Sequence, residues 1–140
     1  MKNTKLPADF TLDTTLTDAI QKSLREGKLP CAAAFVIARQ NDAAPLLVGQ
    51  TATAMHIHLT RCQLGLFGYP EGKGWRSTTV AERPIPEGLE ETIREAAVDG
   101  KLSCAQAWTL ARQFHIPKMQ ISPIADQLEI HITPCQLGAF

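Results

Sequence analysis

Each half of the sequence carries the same side chains able to do chemistry: Cys31, His58 and Cys62 in the first half, Cys104, His131 and Cys135 in the second. Cysteine and histidine are the favoured ligands of zinc, so a metal centre is the first chemistry to weigh. The spacing speaks against it. His58 and Cys62 lie four residues apart on a stretch with strand-like alternation, so their side chains start ~13 Å apart at ~3.3 Å per residue. Donors sharing one zinc must each lie ~2.0–2.3 Å from it. The sequence also has no Cys-x-x-Cys pair. No metal or other cofactor is therefore expected. Cys31 and Cys104 read as small residues buried at the start of a packed helix. No nucleophile–base pair, phosphate-cradling loop or carboxylate pair stands out, so the expectation is a protein that is not an enzyme.

The elements that position these residues come in two copies. The word Cys-Gln-Leu-Gly occurs at residues 62–65 and again at 135–138; its glycine permits a left-handed or bulged backbone, and Leu64 and Leu137 read as core plugs. With Leu16 laid over Leu89, the chain aligns with itself without a gap as far as Phe67 over Phe140, with 20 identities in 52 positions. Chance does not produce that density, and the chain reads as two copies of one small unit. In each copy an amphipathic helix comes first (Leu16, Ala19, Ile20 and Leu24; Leu89, Ile93, Ala96 and Ala97). Gly27 and Gly100 stand where left-handed caps would stop it. A short extended Lys-Leu piece follows, then a second helix from Cys31 or Cys104, with Ser103 and Gln106 at capping-box spacing. A third helix is expected around residues 45–55 and 118–128. Gly49-Gln50 and Ser122-Pro123 fall at the same place in it, and a proline inside a helix costs ~3 kcal/mol. A kink, or a restart capped by Ser122, is expected there. A period-two strand over residues 56–60 and 129–133 comes next.

Beyond that strand the copies diverge. The first runs through a glycine-rich stretch into Trp75–Val80, which reads as a returning strand, and the second stops at Phe140. The predicted units are residues 1–80 and 88–140, with residues 81–87 as linker. Without a returning partner the strand Ile130–Thr133 has an exposed edge, which proteins usually cover. The expectation is a homodimer built on this strand, or closure of the edge within the chain. One strand face repeats His58, Thr60 and Cys62 as His131, Thr133 and Cys135. A contact between copies, a shared partner surface or a recent duplication would each account for it.

Hydrophobic residues make up 44% of the chain and charged residues 20%, an ordinary globular composition. No apolar run approaches the ~20 residues that span a bilayer, and the first residues have no apolar core of the signal-peptide kind. A cytoplasmic protein with reduced thiols and no membrane association is expected. The net charge of zero argues against a strong binder of phosphate backbones. The stretch from Met1 to Val80 nevertheless holds nine Lys/Arg against six Asp/Glu.

Three helices, with a short strand after the first and a hairpin after the third, resemble a winged helix-turn-helix. In the second copy Leu110, Ala111, Phe114, Ile116, Ile121 and Ile124 fill the apolar places of that pattern, with His115 where the turn glycine usually stands. Ile37, Ala38, Asn41, Asp42, Ala43, Val48 and Thr51 are the matching places in the first, a weaker match because Asn41 stands at an apolar place. The resemblance implies an α+β fold, mainly helical with small sheets: two tandem winged-helix-like units, the second with a truncated wing. It also implies a nucleic-acid-binding or transcription-regulatory role. Lys73 and Arg76 on the wing, with Lys118 and Gln120 on the last helix, are then the DNA contacts, and binding is expected to be weak and salt-sensitive. The third helix of the first copy is almost wholly apolar, which supports an alternative: a protein docking or dimerisation module that does not read bases. A thiol- or metal-responsive sensor is the third class, resting on the four cysteines.

Overall fold

The computed structural model describes residues 6–69 and 84–140. The described chain is mainly helical, with two small sheets. It runs through α1 (Thr14–Ser23), β1 (Leu29–Pro30), α2 (Cys31–Gln40), α3 (Pro45–Ala54) and β2 (Leu59–Thr60). It continues through α4 (Leu89–Ala96), β3 (Lys101–Leu102), α5 (Cys104–Gln113), α6 (Lys118–Gln127) and β4 (His131–Ile132). The expected returning strand Trp75–Val80 and residues 81–83 of the linker lie outside the described residues.

By packing, the described residues divide into two compact units. One holds the residues up to Cys62 together with Gln136–Phe140, and the other holds those from Gln63 to Cys135. The sequence boundaries divide the chain by copy, whereas these units divide it by contact. They differ because Gln-Leu-Gly from each copy packs in the unit built on the other copy's helices.

In the first unit α1, α2 and α3 pack on one another. Leu16, Ile20, Leu29, Ala34, Ile37, Val48 and Ala52 form the core, and Leu137 is fully buried with them in the same unit. In the second unit α4, α5 and α6 pack likewise around Leu89, Ile93, Leu102, Ala107, Leu110, Ile121 and Ala125. There Leu64 is the fully buried residue from the other copy. Each unit has one two-stranded parallel sheet, with Leu29 opposite Leu59 and Leu102 opposite Ile132. Among the described residues the two sheets share no strand, and no further strand closes the edge of β4 within the chain.

Local chemistry explains the turns. Gly27 and Gly100 are not helix caps: α1 and α4 end at Leu24 and Ala97, both extended. Glu26-Gly27 and Asp99-Gly100 instead have positive φ at both residues and close tight hairpins, Arg25 against Lys28 and Val98 against Lys101. Positive φ at both central positions is the mark of a type I′ turn, for which glycine is suited. The left-handed caps lie further on, at the ends of the second and third helices, and use Asp42, His56, His115 and Glu129. At each, the next amide reaches back to the helix, as Ile116 N does to Ala111 O (3.0 Å) and Ile57 N to Ala52 O (2.9 Å). These are Schellman closures made without glycine.

The same caps shorten the strands. The period-two stretches at 56–60 and 129–133 yield two paired residues each, because His56 and Glu129 are used to close α3 and α6. Past the strands, Arg61 turns left-handed (φ 49) and Pro134 lacks an N–H to donate. The wide separation expected of a continuous strand from His58 to Cys62 therefore does not apply. The restart expected in α6 does not occur. Pro123 sits inside a helix that runs unbroken from Lys118 to Gln127, and Ser122 does not cap it. Ser103 and Gln106 form the capping box of α5, with Gln106 N donating to Ser103 Oγ at 3.1 Å and Ser103 N donating to Gln106 Oε1 at 3.0 Å.

Candidate functional site

The third helix of each unit is where a helix-turn-helix protein would read bases, so its surface decides much. α3 has the sequence PLLVGQTATA and carries no charged residue. Proline at its first position fits a helix start. Val48, Gly49, Thr51 and Ala52 face inward, and the Thr51 hydroxyl donates to Leu47 O at 2.7 Å. Leu46 and Leu47 point outward, 45% and 36% exposed.

α6 has more polar side chains; Asp126 and Gln127 are exposed, but Lys118 and Gln120, the two expected base contacts, turn into their own unit. Gln120 is 2% exposed, and its amide nitrogen donates to Pro84 O at 3.1 Å. Lys118 is half-buried: its ammonium donates to Gln63 Oε1 at 3.0 Å and sits 4.0 Å over the Trp108 ring. Such a cation–π contact is worth ~0.5–2 kcal/mol, so leaving it has a cost. Gln120 cannot meet a base edge without abandoning its buried hydrogen bond. Lys73 and Arg76, the other two nucleic-acid candidates, lie outside the described residues.

The repeated His/Thr/Cys set does not form one continuous face. His58 and His131 are exposed, Thr60, Thr133 and Cys135 are half-buried, and Cys62 is buried. The left-handed Arg61 turns the chain between Thr60 and Cys62. Among the described residues no three of His, Cys, Asp and Glu come close enough together to hold a metal ion. No helix among them is long and apolar enough to cross a membrane.

The structure brings together a pair of sites that spacing did not link. Gly49 of α3 faces the backbone of Leu137. A Cβ at Gly49 would collide with the Leu137 carbonyl oxygen and come within 2.8 Å of its carbon. In the self-alignment Gly49 corresponds to Ser122, and Leu137 to Leu64. In the second unit the Ser122 hydroxyl donates to Leu64 O at 2.6 Å, fully buried. Each third helix thus receives a Leu-Gly carbonyl at the same turn, one through an absent side chain and one through a hydroxyl. Gly65 and Gly138 both take φ 77 just after the docked leucines, a conformation that favours glycine.

In comparison with known proteins, no family model, no curated protein and no solved structure matches the chain.

Proposed function

We propose that the chain is a duplicated pair of winged-helix-like units whose third helices make protein contacts and do not read DNA sequence. The observation that carries this reading is the outer surface of α3, which offers Leu46 and Leu47 and no charge. A major groove is read by polar and basic side chains, and a leucine pair offers it none. The buried amide of Gln120 supports the same conclusion for α6. Hydrophobic residues exposed singly are ordinary, but two adjacent leucines on the element that normally touches a partner suit a protein interface. A regulatory role through protein contact follows.

The test is a salt titration with duplex DNA of mixed sequence. The expected result is no binding, or weak binding that Lys73→Ala with Arg76→Ala removes. Two cations release about two counterions, so such binding would show a log–log salt slope of about −2. Sequence-dependent binding lost on Lys118→Ala would overturn the proposal and make α6 a reader.

A further inference from the structure

The two cysteines of each copy are far apart in sequence, yet each unit brings its own pair to one place. In the second unit β3 and β4 run parallel, and just past their last partners the Cys104 amide donates to Pro134 O at 3.1 Å. Cys135 is the next residue, so covalent geometry keeps its Cα within about 7 Å of the Cys104 Cα. A disulfide joins Cα atoms ~4.4–6.8 Å apart. Both residues are held as thiols. We propose that Cys104 and Cys135 are a peroxide-reactive pair, oxidised by a hydroperoxide to a disulfide within the second unit.

Two observations carry the inference. One is the juxtaposition, which the fold makes twice. In the first unit Pro30 lies opposite Thr60, and Cys31 and Cys62 follow them by one and two residues. All four cysteines of the chain therefore stand as two pairs, each just past the end of a parallel ladder. The other observation is access. Cys31, Cys62 and Cys104 are 6%, 5% and 5% exposed, whereas Cys135 is half-buried. A dissolved oxidant meets Cys135 first, with Cys104 beside it as the resolving thiol, which is the arrangement of a redox-sensing cysteine. The first unit holds the same pair without that opening, so Cys31 and Cys62 stay reduced while the chain is folded. With hydrogen peroxide, the Cys135 thiolate takes one oxygen: S–O forms, O–O breaks, and hydroxide leaves to become water. Cys104 Sγ then attacks that sulfur: S–S forms, S–O breaks, and a second water leaves. The two thiol protons end in the waters, the peroxide gains two electrons and the thiol pair loses two. Nothing in this chemistry depends on the α3 contact surface proposed above.

The test treats the folded full-length chain with a small excess of hydrogen peroxide and quenches it. The chain is then unfolded in an alkylating reagent, digested, and its cysteines mapped by mass. The expected product has lost two hydrogens, with Cys104 linked to Cys135 and with Cys31 and Cys62 alkylated. Cys104→Ser removes the resolving thiol, and should leave Cys135 as a sulfenic acid that dimedone captures several-fold more than in the unsubstituted chain. A link from Cys135 to Cys62 or to another molecule overturns the proposal. So does a chain that keeps all its thiols, or one in which Cys135 is oxidised without a link. Oxidation of Cys31 and Cys62 as fast as of Cys104 and Cys135 also overturns it, because access would then not select the pair. Dimedone capture no greater in Cys104→Ser removes Cys104 from its role and overturns it too. Should that variant fail to fold, the mapped link in the unsubstituted chain decides.

Discussion

α3 and α6 are the same helix in register and length, Pro45–Ala54 and Lys118–Gln127, yet they solve one packing problem in two ways. Both must bring a leucine carbonyl against their middle turn. α3 does it by removing a side chain, with Gly49, in a helix where glycine costs ~1 kcal/mol against alanine. α6 does it by adding a donor, with Ser122, so that the carbonyl is satisfied by a hydroxyl. The second solution brings a helix-weak neighbour, Pro123, which forfeits one helical hydrogen bond. Burial of the docked leucine is common to both, and the polar detail is where the two helices differ. The outer faces diverge too: Leu47 is exposed where Gln120, its counterpart, is buried on Pro84.

On this comparison the docked leucines carry the largest effect. Leu64→Ala and Leu137→Ala each remove a fully buried leucine and should cost ~2–5 kcal/mol by denaturant unfolding. A loss below ~1 kcal/mol at either would mean that the segment is not a core element. The middle turn should give smaller effects that differ in cause. Ser122→Ala leaves the Leu64 carbonyl buried without its donor, a loss of ~1–3 kcal/mol. Gly49→Ala gains ~1 kcal/mol in helix propensity but drives a methyl into the backbone of Leu137, which cannot rotate away. Overpacking of ~1–3 kcal/mol should win, leaving a net loss. A stabilised Gly49→Ala protein would break the comparison, since it would show room where the structure has none.

Much of this was legible in the sequence. The helices of both copies follow from apolar spacing, and the Ser103–Gln106 capping box from its own spacing. Gly65 and Gly138, with the leucines before them, read as left-handed glycines beside core plugs, and φ 77 with full burial is what the structure has. Three features were not legible, each for a physical reason. Caps at Asp42, His56, His115 and Glu129 use residues that tolerate positive φ less readily than glycine, so the glycines of the type I′ turns drew the cap assignment instead. The strands shrank because those caps consume their first residues. The exchange of segments was hidden because Leu64 and Leu137 bury equally well on either copy's helices, and hydrophobic pattern does not record which unit a side chain enters. The helix-weak residues Gly49 and Ser122 were visible at matching positions. What they face is set by tertiary contact alone.

The central claim is that Leu64 belongs to α6 and Leu137 to α3. Backbone amide chemical shifts of the full chain, compared with those of Leu64→Ala and Leu137→Ala, test it most directly. The exchanged arrangement predicts that Leu64→Ala moves the amides of residues 121–125 most, and that Leu137→Ala moves those of residues 48–52 most. The opposite assignment, with Leu64→Ala acting on α3 and Leu137→Ala on α6, would contradict it.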